Sequence, residues 1–241
     1  MKKNFGIMQG RLLPKYKGRY QAHPFGYWDK EFPIAAELGL DSIEFILDFN
    51  NVEENPLLSK SGIENIKSVE ISSGVKVRSI CADYFMEAPI HSNNSITVDK
   101  SLSILSRLIN YASMLNVKNI VIPCVDRSNL KNDKEINNFI NRIKSIISIA
   151  EKKNINICVE SDLAPTAFAN VIDLRNSKNV TINYDIGNSA SLGYDPEEEF
   201  NAYGEKITDL HIKDRLLGKG PVPLGKGNAD IPKIFKLLSK I

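Results

Sequence analysis

Three residues of types that commonly bind metal ions stand in apolar segments in the second half of the chain. Glu160, Asp185 and His211 follow one another at intervals of 25 and 26 residues. A charged group within an apolar segment costs several kcal/mol unless it is paired, so each of the three needs a partner or a function. Two carboxylates and an imidazole suit a divalent cation such as Mn, Co, Mg or Zn. Each residue alone could equally be an ion-pair partner or a hydrogen-bonded core residue, but together they predict a metal site.

Other residues of these types carry weaker signals. Glu44, in an earlier apolar segment, is interpreted either as a contact to the metal ligands or the substrate, or as one partner of an internal salt bridge. His23 and His91 lie in polar surroundings, so we expect them at the surface or rim rather than among the ligands. The cysteines lack the spacing of a zinc site and are expected to be small buried side chains: Cys81, Cys124 and Cys158.

The elements that position these residues are short apolar segments of strand type, which alternate with longer helical patterns. This alternation is typical of βα units around a parallel sheet, and continuous apolar runs indicate strands that are covered on both faces. Because the carboxyl ends of barrel strands meet at one mouth, the three candidate ligands are expected to lie together there. The predicted strands are Phe5–Leu12, Ser42–Leu47, Val77–Asp83, Asn119–Cys124, Asn156–Glu160, Val180–Asp185 and Ile207–Lys213.

A barrel is favoured over a doubly wound sheet, because the first predicted strand leads into Met8–Pro14, which holds no glycine-rich phosphate fingerprint. No linker or charge block marks a boundary, so residues 1–241 are interpreted as one α/β domain. The chain ends with an amphipathic pattern over Asp230–Ile241. We therefore predict a TIM-type (β/α) barrel with seven βα units, the eighth strand missing at the C-terminus, and we expect the chain to be a shortened version of a longer one.

Composition excludes several classes of protein. The 31 basic and 29 acidic residues leave a net charge of +2, which provides little affinity for nucleic acid. No segment approaches the ~18 apolar residues of a membrane helix, and the two lysines near the N-terminus are not followed by the apolar stretch of a signal peptide. We expect a soluble cytoplasmic protein without nucleic-acid or membrane partners. The unpaired strand edges of a seven-stranded barrel would favour a homo-oligomer.

Two motifs in the last third of the chain resemble a known family. They are Tyr184-Asp185-Ile186-Gly187-Asn188 and Leu210-His211-Ile212-Lys213-Asp214-Arg215, the second followed by Val222–Asp230. They resemble the xylose-isomerase-like TIM barrels, the sugar phosphate isomerase/epimerase family, and within it the L-ribulose/L-xylulose-5-phosphate 3-epimerase branch. The resemblance covers nearly the whole chain, from Gly6 to Ile231.

The resemblance implies a divalent metal held by Glu160, Asp185 and His211, with a further glutamate from an eighth strand that this sequence lacks. It also implies that the two glutamates act as acid and base on opposite faces of the sugar: one, with Glu160 as the catalytic residue present here, takes the proton beside the carbonyl, the metal stabilises the enediolate, and the other returns a proton to the opposite face. Asn188 stands where some relatives carry a histidine. The candidate substrate contacts are Arg11, Glu44, Asn188, Lys213 and Arg215.

The sequence thus predicts a divalent-metal-dependent isomerase or epimerase of a sugar or sugar phosphate. Basic residues and glycines after the seventh predicted strand suit a phosphate group, or equally a flexible solvated loop: Lys213, Arg215, Lys219 and Lys226. One alternative is a catalytically incomplete sugar-binding or accessory barrel. Another is an abasic-site endonuclease, which shares this barrel but needs many histidines for its zinc ions, whereas this chain has 3. Lyase and dehydratase chemistries also stay open.

Overall fold

The structure, a computed structural model, describes residues 5–173 and 177–241 of the chain. Seven parallel strands lie side by side in chain order and form one curled sheet. A short antiparallel pair, β8 (Asp214–Arg215) and β9 (Pro221–Val222), follows the seventh strand. The strands of the curled sheet are β1 (Gly6–Met8), β2 (Ser42–Ile46), β3 (Lys76–Cys81), β4 (Asn119–Cys124), β5 (Asn156–Ser161), β6 (Val180–Asp185) and β7 (Ile207–His211).

Helices connect successive strands of the sheet and pack against its outer face. Their apolar sides join the outward side chains of the strands in the main hydrophobic core. None of the helices in the described ranges is both long and apolar enough to cross a membrane. The helices are α1 (Glu31–Glu37), α2 (Lys60–Ser73), α3 (Tyr84–Glu87), α4 (Ser95–Ala112), α5 (Asp133–Lys153), α6 (Pro165–Asp173), α7 (Ile186–Leu192), α8 (Pro196–Tyr203) and α9 (Ile231–Leu238).

The predicted architecture is confirmed: the sheet is a half-barrel of seven βα units, and no eighth strand pairs β7 with β1 among the described residues. Six of the seven strands begin and end within two residues of their predicted bounds. The first strand is shorter than predicted, because the backbone turns at Gly10, where φ is 86°. The N–H groups of Gly10 and Leu12 then donate to the Glu31 carboxylate at 2.8 and 3.0 Å.

Small apolar side chains fill the inner face of the half-barrel below its mouth. Ile46, Cys81, Val121 and Cys158, from four neighbouring strands, form a separate buried cluster with Met8 against it. All three cysteines are buried, as predicted, and their thiols are free. Because side chains alternate along a strand, the residues two positions beyond this layer also point inward, toward the mouth.

Candidate functional site

The inward positions near the ends of β5, β6 and β7 bring together the three candidate ligands, Glu160, Asp185 and His211, called the candidate triad below. One ligand atom of each lies within 4.8 Å of the other two. The Nδ1 atom of His211 is 3.8 Å from Glu160 Oε2 and 3.7 Å from Asp185 Oδ2. The predicted convergence of these side chains is therefore present in the structure.

An irregularity in the pairing of β6 with β7 sets the register of His211. Ile182 pairs with Ile207 and Asn183 pairs with Asp209, so Thr208 is an extra residue on β7. Such a bulge shifts the alternation of the following residues by one position. As a result, His211 lies opposite Asp185 at the mouth.

Asp185 is oriented by the start of the helix that follows it. Its Oδ1 accepts the Asn188 backbone N–H at 2.8 Å and caps α7, while Oδ2 lies 2.7 Å from Lys213 Nζ. The close approach of Lys213 depends on Gly187, since a Cβ atom there would lie 3.0 Å from Lys213 Cγ and 3.1 Å from its carbonyl carbon. The Oδ1 atom of Asp185 is therefore fixed by the backbone of α7, and the Oδ2 atom faces His211 and Lys213.

Glu160 is held by two amide side chains. Asn188 Nδ2 donates to Oε1 at 2.5 Å, and Asn183 Nδ2 donates to Oε2 at 3.0 Å. Arg215 Nη1 in turn donates to Asn188 Oδ1 at 2.8 Å, which fixes the direction of that amide. Both oxygens of Glu160 are thus positioned by neutral amide donors. The Arg215 guanidinium does not bond Glu160 itself but holds the Asn188 amide that does.

Burial and neighbouring charges shift the pKa values of the candidate triad in different directions. Burial, together with the charge of Asp185, raises the pKa of Glu160 to about 7. Burial would raise the pKa of Asp185 as well, but a hydrogen bond with His211 and the Lys213 ammonium outweigh it and hold that pKa below its usual value. Burial would lower the pKa of His211, yet the Glu44 and Asp185 carboxylates raise it well above its usual value. The pKa of Glu160 therefore lies close to neutral pH.

The geometry of the candidate triad fits a divalent cation. Ligand atoms at about 2.1 Å from one ion lie about 3.0–3.5 Å apart, and the distances of 3.8 and 3.7 Å from His211 Nδ1 to the two carboxylate oxygens are slightly longer than this range. Two buried oxygens beside them, Glu44 Oε1 and Asn183 Oδ1, have no hydrogen-bond partner among the described residues. Buried polar atoms are normally paired, so these two atoms indicate room for a polar ligand or its water.

Four of the five predicted substrate contacts lie at or next to the candidate triad. Lys213 and Asn188 touch it directly, Arg215 reaches it through Asn188, and Glu44 Oε2 accepts a hydrogen bond from His211 Nε2 at 2.8 Å. The Arg11 side chain is instead exposed on the loop after β1, with its Nη2 atom 3.5 Å from Gln21 Oε1.

The loop after β7 is ordered by hydrogen bonds. The buried Asp214 carboxylate accepts the backbone N–H groups of Gly227 and Ala229 at 2.8 and 3.1 Å. Lys219 and Lys226 are exposed on this loop. Lys213 contacts Asp185 and Arg215 contacts Asn188, so these two basic residues reach the mouth.

The expectation that His23 and His91 are surface or rim residues is wrong, since both are buried. His23 Nδ1 donates to Gln9 Oε1 at 3.1 Å, and its ring lies 5.2 Å from Phe45. His91 is covered because Arg142 donates to the neighbouring carbonyl groups and ties this loop to α5. Burial lowers the pKa of His23 to about 3 and also lowers that of His91. Neither belongs to the candidate triad.

Sequence reasoning missed two inward-facing residues beside the candidate triad. Asn183 bridges Glu160 Oε2 and His211 Nδ1, at 3.0 and 3.1 Å. Asp209 lies two positions before His211, accepts a hydrogen bond from Asn119 Nδ2 at 3.0 Å, and has a pKa that burial and the charge of Glu44 raise to about 6. Asn183 lies two positions before Asp185, and Asp209 lies two positions before His211. Because side chains two positions apart on a strand point to the same face, this spacing was the signal that could have identified them.

The comparisons with known sequences agree with this geometry. Residues 32–241 match the family model described as Xylose isomerase-like TIM barrel. The chain is 27% identical over 230 residues to the "Putative L-ribulose-5-phosphate 3-epimerase SgbU" of Haemophilus influenzae, with 89% of this chain and 80% of that protein covered. It is 24% identical over 229 residues to the L-ribulose-5-phosphate 3-epimerase UlaE of Salmonella heidelberg, with 88% and 78% covered.

Solved structures with the same fold include sugar-processing and metal-containing proteins. A D-psicose 3-epimerase, solved in the presence of D-fructose, has a TM-score of 0.75 at 14% identity and covers 98% of this chain and 80% of its own. A xylose isomerase-like TIM barrel protein from Mycobacterium smegmatis, solved in complex with magnesium, has a TM-score of 0.74 at 19% identity and covers 98% and 86%. At these identities the likeness establishes the fold.

Proposed function

The chain belongs to the xylose isomerase-like TIM barrel family, and we propose that it is a divalent-cation-dependent epimerase or isomerase of a sugar phosphate. The observation that carries the proposal is the convergence of Glu160, Asp185 and His211 at the mouth of the half-barrel. The relatives named as L-ribulose-5-phosphate 3-epimerases support an enzyme of the isomerase and epimerase class. They also favour a small sugar as its substrate, and a five-carbon ketose phosphate as the first compound to test.

In this proposal Glu160 exchanges the proton at the carbon next to the substrate carbonyl. Removal of this proton by Glu160 and return of hydrogen to the same face exchanges the proton with solvent, whereas formation of the 3-epimer also needs an acid on the opposite face of the sugar, a role that the family resemblance gives to a glutamate of an eighth strand. Hydrogen bonds from Asn183 and Asn188 hold its two oxygens, so the proton transfer occurs from a fixed position. A bound divalent cation would polarise the substrate oxygens and neutralise the negative charge that develops on them.

Lys213 and Arg215 are the proposed contacts for the anionic part of the substrate. The Lys213 ammonium is partly exposed at the mouth, next to Asp185. The Arg215 guanidinium bonds Asn188, and its planar group of N–H donors suits phosphate oxygens.

A cytoplasmic location is part of the proposal, because buried cysteines with free thiols are typical of a reducing compartment.

The proposal is tested by hydrogen exchange at the substrate carbon. The protein is incubated with Mn²⁺ and L-ribulose 5-phosphate in D₂O, and NMR follows deuterium entry at C3 and the appearance of the 3-epimer. We expect exchange with the wild type and a loss of about 10²-fold or more with Glu160→Gln, at matched metal occupancy.

The matched control is Glu70→Gln. Glu70 is a buried glutamate on α2, outside the mouth, whose Oε1 accepts the Val77 N–H at 2.7 Å. This variant should exchange at the wild-type rate. Comparison with unphosphorylated L-ribulose tests the phosphate contact, since equal apparent affinity for the two compounds would remove that part of the proposal. Exchange that persists in Glu160→Gln would contradict the role of Glu160.

A further inference from the structure

Glu44 contacts the candidate triad from the opposite side of the half-barrel. It lies on β2, which is separated from β7 by four strands in the sheet, and 167 residues separate it from His211 in the chain. Its Oε2 is nevertheless 2.8 Å from His211 Nε2, and Glu44 is buried. The side chain therefore crosses the interior of the half-barrel to reach the imidazole.

The two nitrogens of the His211 ring face different partners. Nε2 faces Glu44, whereas Nδ1 faces Glu160, Asp185 and the Asn183 amide. A carboxylate only accepts hydrogen bonds, so the contact with Glu44 requires the Nε2 atom to carry a proton. When one hydrogen is on Nε2, the lone pair of a neutral ring is on Nδ1 and points at the two carboxylates.

We propose that Glu44 is a positioning residue, which holds the His211 ring and its tautomer so that Nδ1 is presented to a divalent cation. The proposal rests on the proposed function, because it takes the candidate triad as the cation site. Carboxylates that accept the second N–H of a histidine ligand fix the ring and increase the basicity of the ligand atom. Glu44 performs this task from β2, so the mouth is organised across the half-barrel and not only by neighbouring strands.

This role differs from a direct contact with the substrate, which is the other interpretation of a buried carboxylate at the mouth. A positioning residue affects cation affinity and the state of the His211 ring even when no substrate is present. A residue that touches only the substrate affects turnover or KM and leaves both of those properties unchanged.

The test uses Glu44→Gln and Glu44→Ala in the full chain, with zinc as the probe and a competing chelator to set the free concentration. We expect Glu44→Ala to lose 10- to 100-fold in zinc affinity, as is typical when such a partner is removed. Glu44→Gln should lose less, because its amide oxygen still accepts the Nε2–H. Glu70→Gln serves as the control and should bind zinc within about twofold of wild type.

The second readout is ¹⁵N NMR of the histidine rings in the zinc-loaded protein. We expect His211 to show a zinc-bound Nδ1 and an exchange-protected Nε2–H in the wild type and in Glu70→Gln, and to lose this protection in Glu44→Ala. Wild-type zinc affinity together with a protected Nε2–H in Glu44→Ala would overturn the proposal, whatever happens to turnover. A wild-type protein that binds no divalent cation would instead overturn the cation-dependent function, and this inference with it.

Discussion

At the scale of single residues, the carboxylates of the candidate triad are balanced by basic groups of the chain itself. Lys213 Nζ lies 2.7 Å from Asp185 Oδ2, and His211 lies between Glu44, Glu160 and Asp185. A divalent cation at the candidate triad must share Asp185 with the Lys213 ammonium. The strength of cation binding therefore depends on Lys213 as well as on the ligands.

Replacing Lys213 by methionine is expected to strengthen cation binding. Methionine keeps an unbranched apolar stem against Gly187 but removes the positive charge. For a lysine that is about one-third exposed, we expect roughly a tenfold gain in Mn²⁺ affinity, measured by titration calorimetry. Lys219→Met, on the exposed part of the same loop, is the control and should change nothing. Weaker or unchanged binding in Lys213→Met would show that Lys213 does not compete with the cation.

His23 makes the stability of the protein dependent on pH in the acid range. Burial lowers its pKa in the folded protein to about 3, whereas the ordinary value of 6.5 applies to the unfolded chain. Below pH 6.5 the unfolded chain therefore binds a proton that the folded protein does not, and stability falls as the pH decreases. His23 therefore leaves the free energy of unfolding unchanged above pH 6.5 and lowers it by about 1.4 kcal/mol for each pH unit below that value.

Urea denaturation of wild type and His23→Asn between pH 7.5 and pH 4.5 measures this contribution. Asparagine can keep a donor near Gln9 but does not titrate, so the stability of the variant should fall less steeply with decreasing pH. The absolute stability of the variant does not enter the comparison, because only the two slopes are compared. Parallel curves below pH 6.5 would contradict the burial of a neutral imidazole.

At the scale of elements, a buried hydrogen-bond network ties β6, α7 and α8 together behind the mouth. The Glu199 carboxylate on α8 accepts hydrogen bonds from Tyr184, Ser189 and Tyr203 at 2.6, 2.5 and 2.7 Å. Tyr184 immediately precedes Asp185, and Ser189 lies on the helix that Asp185 caps. The network therefore supports the strand-to-helix turn that orients Asp185.

Replacing Glu199 by glutamine is expected to destabilise this part of the fold. The amide has one acceptor oxygen in place of two, so it cannot accept from all three hydroxyl groups, and at least one buried hydroxyl hydrogen loses its charged acceptor. We expect a loss of about 2–3 kcal/mol in unfolding free energy, measured by chemical denaturation. Glu197→Gln, an exposed change in the first turn of α8, is the control. A loss below about 0.5 kcal/mol would show that the network contributes little to stability.

At the scale of the whole molecule, the repeated strand and helix patterns allowed the half-barrel to be predicted. Parallel strands that are covered on both faces are continuous apolar runs, so Glu160 and Asp185 stood out within them as charged residues. Their convergence followed from the geometry of parallel strands, without knowledge of any side-chain contact.

The contacts across the half-barrel and inside the first loop could not be predicted in this way. The pairing of Glu44 with His211 depends on the curvature of the sheet and on the extra residue Thr208, neither of which leaves a periodic pattern. The burial of His23 depends on how the irregular loop after β1 folds onto Phe45 and Gln9. Such loops are ordered by individual long-range hydrogen bonds, so polar surroundings in the sequence did not indicate exposure.

The proposed function requires that Glu160, Asp185 and His211 bind one divalent cation. Titration of the purified wild type and of Asp185→Asn with Mn²⁺ tests it most directly. Asparagine keeps the oxygen that caps α7, so the variant should stay folded while it loses a charged ligand. We expect one tightly bound ion per wild-type chain and at least a hundredfold weaker binding to Asp185→Asn. Equal, stoichiometric binding to both proteins would contradict it.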